Sequence, residues 1–160
     1  MSDFDPGLAA GARAAAVALL ARRDYASGEL RSKLIDKGHD AATVDALLAD
    51  FAARRLIDDV RYAERFVAYK AGRGHGPVRI RQDLKALGLQ TELITAALES
   101  GPDFPRLAAE ARVRKFGPRP PRDWHDKARQ ARFLQYRGFS ADHIRSALGN
   151  DPGDTFDPDP

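Results

Sequence analysis

The sequence predicts an all-α fold of three tandem three-helix repeats, and three observations predict it. Gly38, Gly88 and Gly138 recur at intervals of 50 residues. Around each glycine the same apolar frame returns: Leu34, Leu84 or Leu134 four residues before, Val44, Ile94 or Ile144 six after, and Leu48, Leu98 or Leu148 ten after. Nowhere does the chain show the period-two alternation and β-branched enrichment of a strand. Chance could supply one such column in three copies, but hardly four.

Each column has a local reason. The leucine stands on the last turn of a helix, and the glycine takes the positive φ by which the chain leaves it. The aliphatic residue and the leucine after it, four apart, share one face of the next helix. Ser27 is placed to cap the helix ending at Lys37, and Asp40 the one after Gly38. Pro77 follows Gly76 at a first helical position. Asp123 and Ser140 stand where the paired helices of the third repeat begin.

A further helix precedes each pair, over about residues 12–23, 58–72 and 105–116. In the second of these, Asp58 or Asp59 is the cap, and Tyr62, Phe66 and Tyr69 recur at helical spacing as an expected core stripe. The resulting organisation is a disordered stub 1–11, repeats at 12–55, 56–101 and 102–150, and a disordered acidic tail 151–160 rich in Asp and Pro.

Composition narrows the function. The chain has no cysteine, which excludes disulfides and thiolate metal sites and suits a reducing compartment. The N-terminus is acidic and lacks a basic segment before an apolar core, so it does not read as a secretory signal. The apolar run 8–21 contains Arg13 and is too short to span a bilayer. A soluble, cytoplasmic protein without a membrane partner is expected. The net charge of +3 is uneven: residues 1–57 are neutral, 58–100 carry +1, 101–150 carry +6 and the tail carries −4. Such a basic third repeat suits phosphates or an acidic protein face.

Catalytic readings fare poorly. His39, His75, His125 and His143 fall in loops or at helix ends, and no HExxH is present. No serine is placed as an activated nucleophile, and no constellation of acid, base and oxyanion donors emerges. The segment Gly72-Arg73-Gly74-His75-Gly76 follows a helix and lacks the terminal Gly-Lys-Ser/Thr of a phosphate loop, so it reads as a helix–helix connection. Glycine in a turn with an aliphatic residue six positions on also echoes a helix-turn-helix. There, however, the position four before the glycine is usually small, and here it is leucine three times. No enzyme activity, metal or cofactor is expected.

Binding residues are sought among the cations that the helix pattern places off the apolar stripe. These are Arg73, Arg79, Arg81 and Lys85 in the second repeat, and Lys127, Arg129, Arg132 and Arg137 in the third. Trp124 is expected to anchor the start of its helix.

Longer motifs carry a resemblance. The repeat junction reads Leu56-Ile57-Asp58-Asp59-Val60-Arg61-Tyr62-Ala63, followed by Gly74-His75-Gly76-Pro77-Val78-Arg79-Ile80 and Leu84-Lys85-Ala86-Leu87-Gly88. Later come Lys127 and Arg132-Phe133-Leu134-Gln135-Tyr136-Arg137-Gly138-Phe139-Ser140, with Ile144 after them. From about Ala12 to Leu148 the chain resembles the RecX family, regulators of the RecA recombinase. The 117–122 loop has the look of a variable insertion rather than a family feature.

The resemblance implies that the three tandem three-helix repeats form a curved, elongated array, and that the protein is non-enzymatic and binds the RecA filament on single-stranded DNA. It implies inhibition of RecA ATPase, coprotease and strand-exchange activities, in DNA repair, homologous recombination and the SOS response. Asp59, Arg61 and Tyr62 match the family motif and are expected to hold two repeats together. A monomer is expected, with single-stranded DNA as a further partner and double-stranded DNA as a secondary one. The alternative is a direct DNA-binding protein acting through its basic third repeat.

Overall fold

The computed structural model describes residues 5–149. Among them stand nine helices and no strand: α1 Pro6–Leu20, α2 Ser27–Asp36, α3 Ala41–Ala53, α4 Asp59–Gly72, α5 Pro77–Ala86, α6 Thr91–Glu99, α7 Phe104–Phe116, α8 Trp124–Tyr136 and α9 Ala141–Leu148. Each repeat contributes three, in the order the sequence predicts. The acidic tail lies outside the described residues.

The glycine columns are three copies of one helix ending. Gly38, Gly88 and Gly138 have φ of 95°, 84° and 92°. In each copy the N–H after the glycine donates to the carbonyl of the column leucine, His39 to Leu34, Leu89 to Leu84 and Phe139 to Leu134, at 3.1 to 3.3 Å. The glycine N–H donates to the carbonyl of the residue after that leucine. This is the Schellman closure, which satisfies carbonyls that a helix end otherwise leaves bare. Leu34, Leu84 and Leu134 are fully buried, as are Val44 and Ile94, while Ile144 is half-buried.

Helix starts follow local chemistry in most places. Asp40 accepts from the Thr43 N–H, Asp123 from that of Asp126, and Ser140 from that of His143. Asp58, rather than Asp59, caps α4 by accepting from the Arg61 N–H.

Three sequence expectations need correction. The first helix starts at Pro6, not Ala12, because Asp5 accepts from the Gly7 N–H and Pro6 stands at the helix start. Residues 6–11 of the expected stub are therefore helical, and residues 1–4 lie outside the description. Ser27 is not a cap: Ala26 holds that position without a side-chain bond, and both the N–H and hydroxyl of Ser27 donate to the Asp59 carboxylate of α4. The aromatic stripe of α4 is not its core face. Ala63, Val67 and Ala71 are buried, whereas Tyr62 and Phe66 are half-buried and Tyr69 is 60% exposed. Small side chains on the buried stripe leave the larger rings at its margin.

The chain forms two compact units, one of Phe66 and the residues before it with Asp83–Ala97, the other of Val67–Gln82 with the residues from Leu98 on. In the first, α1, α2 and α3 pack on one another around Leu30, Leu34, Val44, Leu48 and Phe51. Arg13 pairs with Asp50, Arg23 with Glu29, Arg31 with Asp45 and Arg65 with Asp24. In the second, α7, α8 and α9 pack together, and Phe104, Ala108, Leu134 and Phe139 are buried.

Each unit contains a contact between a glycine at the start of one repeat's middle helix and the glycine turn of the next repeat. In the first unit Gly28 of α2 meets Gly88: a Cβ on Gly28 would stand 3.0 Å from the Leu87 carbonyl oxygen. In the second unit Gly76, just before α5, meets Gly138, and a Cβ on Gly76 would fall 2.3 Å from the Gly138 carbonyl carbon. A Cβ on Gly138 would fall 2.4 Å from that of Arg79.

These distances separate two roles of glycine. Gly38 faces open space, so alanine there meets only the left-handed backbone, at a cost of about 1–2 kcal/mol. Gly76→Ala meets only the steric wall, and overpacking of that kind costs about 1–3 kcal/mol. Gly138→Ala meets both. Urea unfolding should therefore show Gly138→Ala losing more stability than either Gly38→Ala or Gly76→Ala.

Candidate functional site

The site grows from the second glycine contact. Helix α4 ends in its own Schellman closure, with the His75 N–H donating to the Lys70 carbonyl and Gly74 at φ 87°. The glycine-rich segment is thus a helix exit, which leaves Gly76 at the threshold of α5. There the Gly76 N–H donates to the Arg137 carbonyl at 2.8 Å, and the Val78 N–H to the Gly138 carbonyl at 2.9 Å. The C-terminal carbonyls of α8 therefore satisfy N–H groups at the start of α5, so partial charges of opposite sign meet.

Arg79 and Arg137 stand at this junction, and Arg73 and Arg132 lie on the chain segments that lead to it. Arg137 caps α8, with its guanidinium 5.4 Å above the Phe133 ring and one nitrogen 3.5 Å from where a Gly74 Cβ would stand. Arg79, on the first turn of α5, lies against Gly138. Arg73, at the end of α4, donates to the Tyr69 hydroxyl at 3.1 Å and stands 5.6 Å over its ring. Arg132 is exposed one helical turn before Tyr136, which is itself 79% exposed. Two exposed tyrosines, Tyr69 and Tyr136, thus each stand one turn from an arginine.

The arginines at and near this junction share one electrostatic feature. Among the described residues no carboxylate pairs with Arg73, Arg79, Arg132 or Arg137. The arginine pairs of the first unit, by contrast, are internally compensated. Cations without a carboxylate partner keep their full attraction for an external anion.

The other sequence candidates are placed differently. Arg129 is tied to Asp126 at 2.9 Å and lies 5.0 Å over Phe116. Arg81 and Lys127 are half-buried and already interact within the protein. Lys85 is exposed on the last turn of α5, in the first unit. The sequence reading missed Tyr69 and Tyr136, whose spacing from Arg73 and Arg132 was the available signal. It also missed Gly76, whose role depends on a distant partner. Asp59 does tie α4 to α2 through Ser27, whereas Arg61 is exposed.

A groove of about 730 Å³ in the first unit is lined by Ser27, Arg31, Asp45, Arg55 and Asp59 among others. Its Asp45 and Asp59 carboxylates are occupied, Asp45 by Arg31 and Asp59 by the Ser27 hydroxyl and N–H. No histidine lines it to activate that serine. Among the described residues no cluster of three His, Asp or Glu side chains could hold a metal ion, and no helix is long and apolar enough to cross a membrane.

Comparison with known proteins gives a consistent family. Models of the first, second and third three-helix domains of RecX match residues 12–51, 58–98 and 106–148. The chain is 43% identical over 136 residues to the regulatory protein RecX of Halorhodospira halophila, covering 84% of each chain. It is 42% identical over 143 residues to that of Pseudomonas savastanoi pv. phaseolicola, covering 89% of this chain and 92% of the relative. A crystal structure of RecX from Lactobacillus salivarius shares the fold at a TM-score of 0.77 and 20% identity, over 89% of this chain and 95% of that one.

The Arg129–Asp126 pair makes a pH prediction. The Arg129 hydrogen bond, then the Arg122 N–H, hold the Asp126 carboxyl below its ordinary value of 3.8. A carboxylate lowered on folding stabilises above its ordinary pKa, and the stabilisation fades as pH falls through the folded value. Asp126→Asn should therefore lower the melting temperature at pH 7, and the gap to the parent should close as the pH is taken below 3.8.

Proposed function

The chain belongs to the RecX family, and on that premise we propose that it is a regulator acting by binding rather than by catalysis. Its target in this reading is the RecA filament on single-stranded DNA, whose ATPase, coprotease and strand-exchange activities it restrains in the cytoplasm, as a monomer. The observation that carries the reading is the unpaired set Arg73, Arg79, Arg132 and Arg137, flanked by Tyr69 and Tyr136 at a backbone-locked junction. A filament presents the same acidic and phosphate groups at every protomer. Repeats joined in one chain engage such a lattice with later contacts effectively intramolecular, so weak single contacts sum to firm binding. A body fixed across neighbouring protomers opposes the cycling that ATP hydrolysis requires.

A second reading, direct DNA binding through the third repeat, is favoured by Arg132 and Tyr136 lying on one helix of a segment that carries +6. The two readings part on salt and on RecA. Bare single-stranded DNA binding falls with salt at a slope of about −0.7 per phosphate neutralised.

The decisive assay is RecA ATPase on single-stranded DNA with this protein at substoichiometric amounts. Inhibition is expected, and the Arg73→Glu, Arg132→Glu pair should weaken it at least tenfold with helicity unchanged, each lost charged contact being worth about 1.5–3 kcal/mol. No inhibition by a protein that still binds bare DNA would favour the second reading. Unchanged inhibition by the double variant would reduce the cluster to solvated surface.

A further inference from the structure

At the opposite end of α8 from Tyr136, roughly 18 Å away along a helix of this length, stands the chain's single tryptophan. The sequence reading made Trp124 an anchor for its helix. The structure places it at the first helical position, 64% exposed, its ring 5.8 Å from that of His125 and edge-on to it. Nothing in that position requires tryptophan, since Asp123 supplies the cap by accepting from the Asp126 N–H at 2.8 Å.

The loop leading to it, Gly117-Pro118-Arg119-Pro120-Pro121-Arg122, is stiffened twice. Three prolines fix φ along it. A closed circuit of hydrogen bonds then ties it to the helices beneath. Arg112, only 8% exposed, donates to the Arg119 carbonyl at 3.2 Å and to the Gln130 side-chain oxygen at 3.3 Å. The Gln130 amide donates to Asp126, and the same carboxylate oxygen accepts from the Arg122 N–H at 3.0 Å. The buried Arg112 guanidinium thus bridges the loop and α8. Asp123 and Asp126 are occupied by the cap and the circuit, while the Arg119 and Arg122 side chains are exposed and, among the described residues, pair with no carboxylate.

A flat exposed indole at the end of a pre-ordered loop that carries two exposed guanidinium groups has the chemistry of a stacking platform. Bases stack on the ring and phosphates meet the cations. An ordered loop also spares the entropy of fixing it on binding. We propose that Trp124, with Arg119 and Arg122, is a binding site for single-stranded nucleic acid, in which the indole stacks on a base and the two arginines contact the flanking phosphates. The site rests on the reading that single-stranded DNA is among this protein's partners, and names where that contact is made.

Because Trp124 is the only tryptophan, its fluorescence reports on this site alone. The experiment titrates the full-length protein with a short oligothymidylate, reading both the Trp124 emission and the anisotropy of a labelled oligomer. Saturable quenching that tracks the anisotropy is expected. Trp124→Ala should weaken binding roughly 5- to 150-fold, the worth of one stacked base, while Trp124→Phe restores most of it and thermal melting stays unchanged. Arg119→Ala with Arg122→Ala should flatten the salt slope by about 1.4, two phosphates' worth on a single strand. Binding without any change in Trp124 emission, full affinity in Trp124→Ala, or no binding at all would overturn the platform. RecA ATPase inhibition run in parallel keeps the two readings apart. Parent protein that inhibits while Trp124 stays silent loses only the platform. Parent protein that quenches but does not inhibit loses only the filament reading.

Discussion

Gly76 and Gly138 approach so closely that a single methyl group on Gly76 would overlap the backbone of the other. At that distance the start of α5 receives two carbonyls from the end of α8. The contact is made of backbone, with no side-chain rotamers to slip, and it fixes the second repeat's middle helix against the third repeat's turn. The placement of Arg79 and Arg137 depends on it, since Arg79 lies against Gly138 and an Arg137 nitrogen stands 3.5 Å from where a Gly74 Cβ would be. The Gly28–Gly88 contact in the first unit obeys the same logic with slightly more room. There Asp59 adds a carboxylate that takes both donors of Ser27.

The fold thus uses one glycine turn for two purposes. Within a repeat, positive φ closes the helix and buries the leucine four residues earlier. At Gly138 the missing side chain also opens a seat for the preceding repeat, and at the Gly88 turn it is the missing side chain of Gly28 that allows the approach. Gly38 faces open space among the described residues. This explains why glycines that look equivalent in the sequence differ in their surroundings. Five arginines of the first unit, Arg13, Arg23, Arg31, Arg54 and Arg65, are held in internal pairs, whereas among the described residues Arg79 and Arg137 at the Gly76–Gly138 contact pair with no carboxylate.

What could be read from the sequence was whatever neighbours along the chain decide. The Schellman endings, the caps at Asp40, Asp123 and Ser140, and the three-helix order all rest on residues within a turn or two of each other. Even the earlier start of α1 was written in Asp5-Pro6, a cap followed by a helix-compatible proline. What could not be read depends on distant partners. Ser27 looked like a cap because its counterpart Asp59 lies 32 positions away. Tyr69 looked buried because its spacing matched a stripe that Ala63, Val67 and Ala71 occupy instead. Trp124 looked like an anchor because large apolar rings usually are. Only the occupied cap at Asp123 and the circuit through Arg112 show that this ring was left outside a rigid loop.

The central claim is that the arginine and tyrosine cluster built on the Gly76–Gly138 contact is the surface that meets the filament. Photo-crosslinking tests it most directly, with benzoylphenylalanine in place of Tyr69, Tyr136 or, as a control in the first unit, the exposed Val60. On irradiation with RecA filaments on single-stranded DNA, the account predicts covalent adducts from positions 69 and 136 and none from position 60. Adducts from position 60 alone would contradict it.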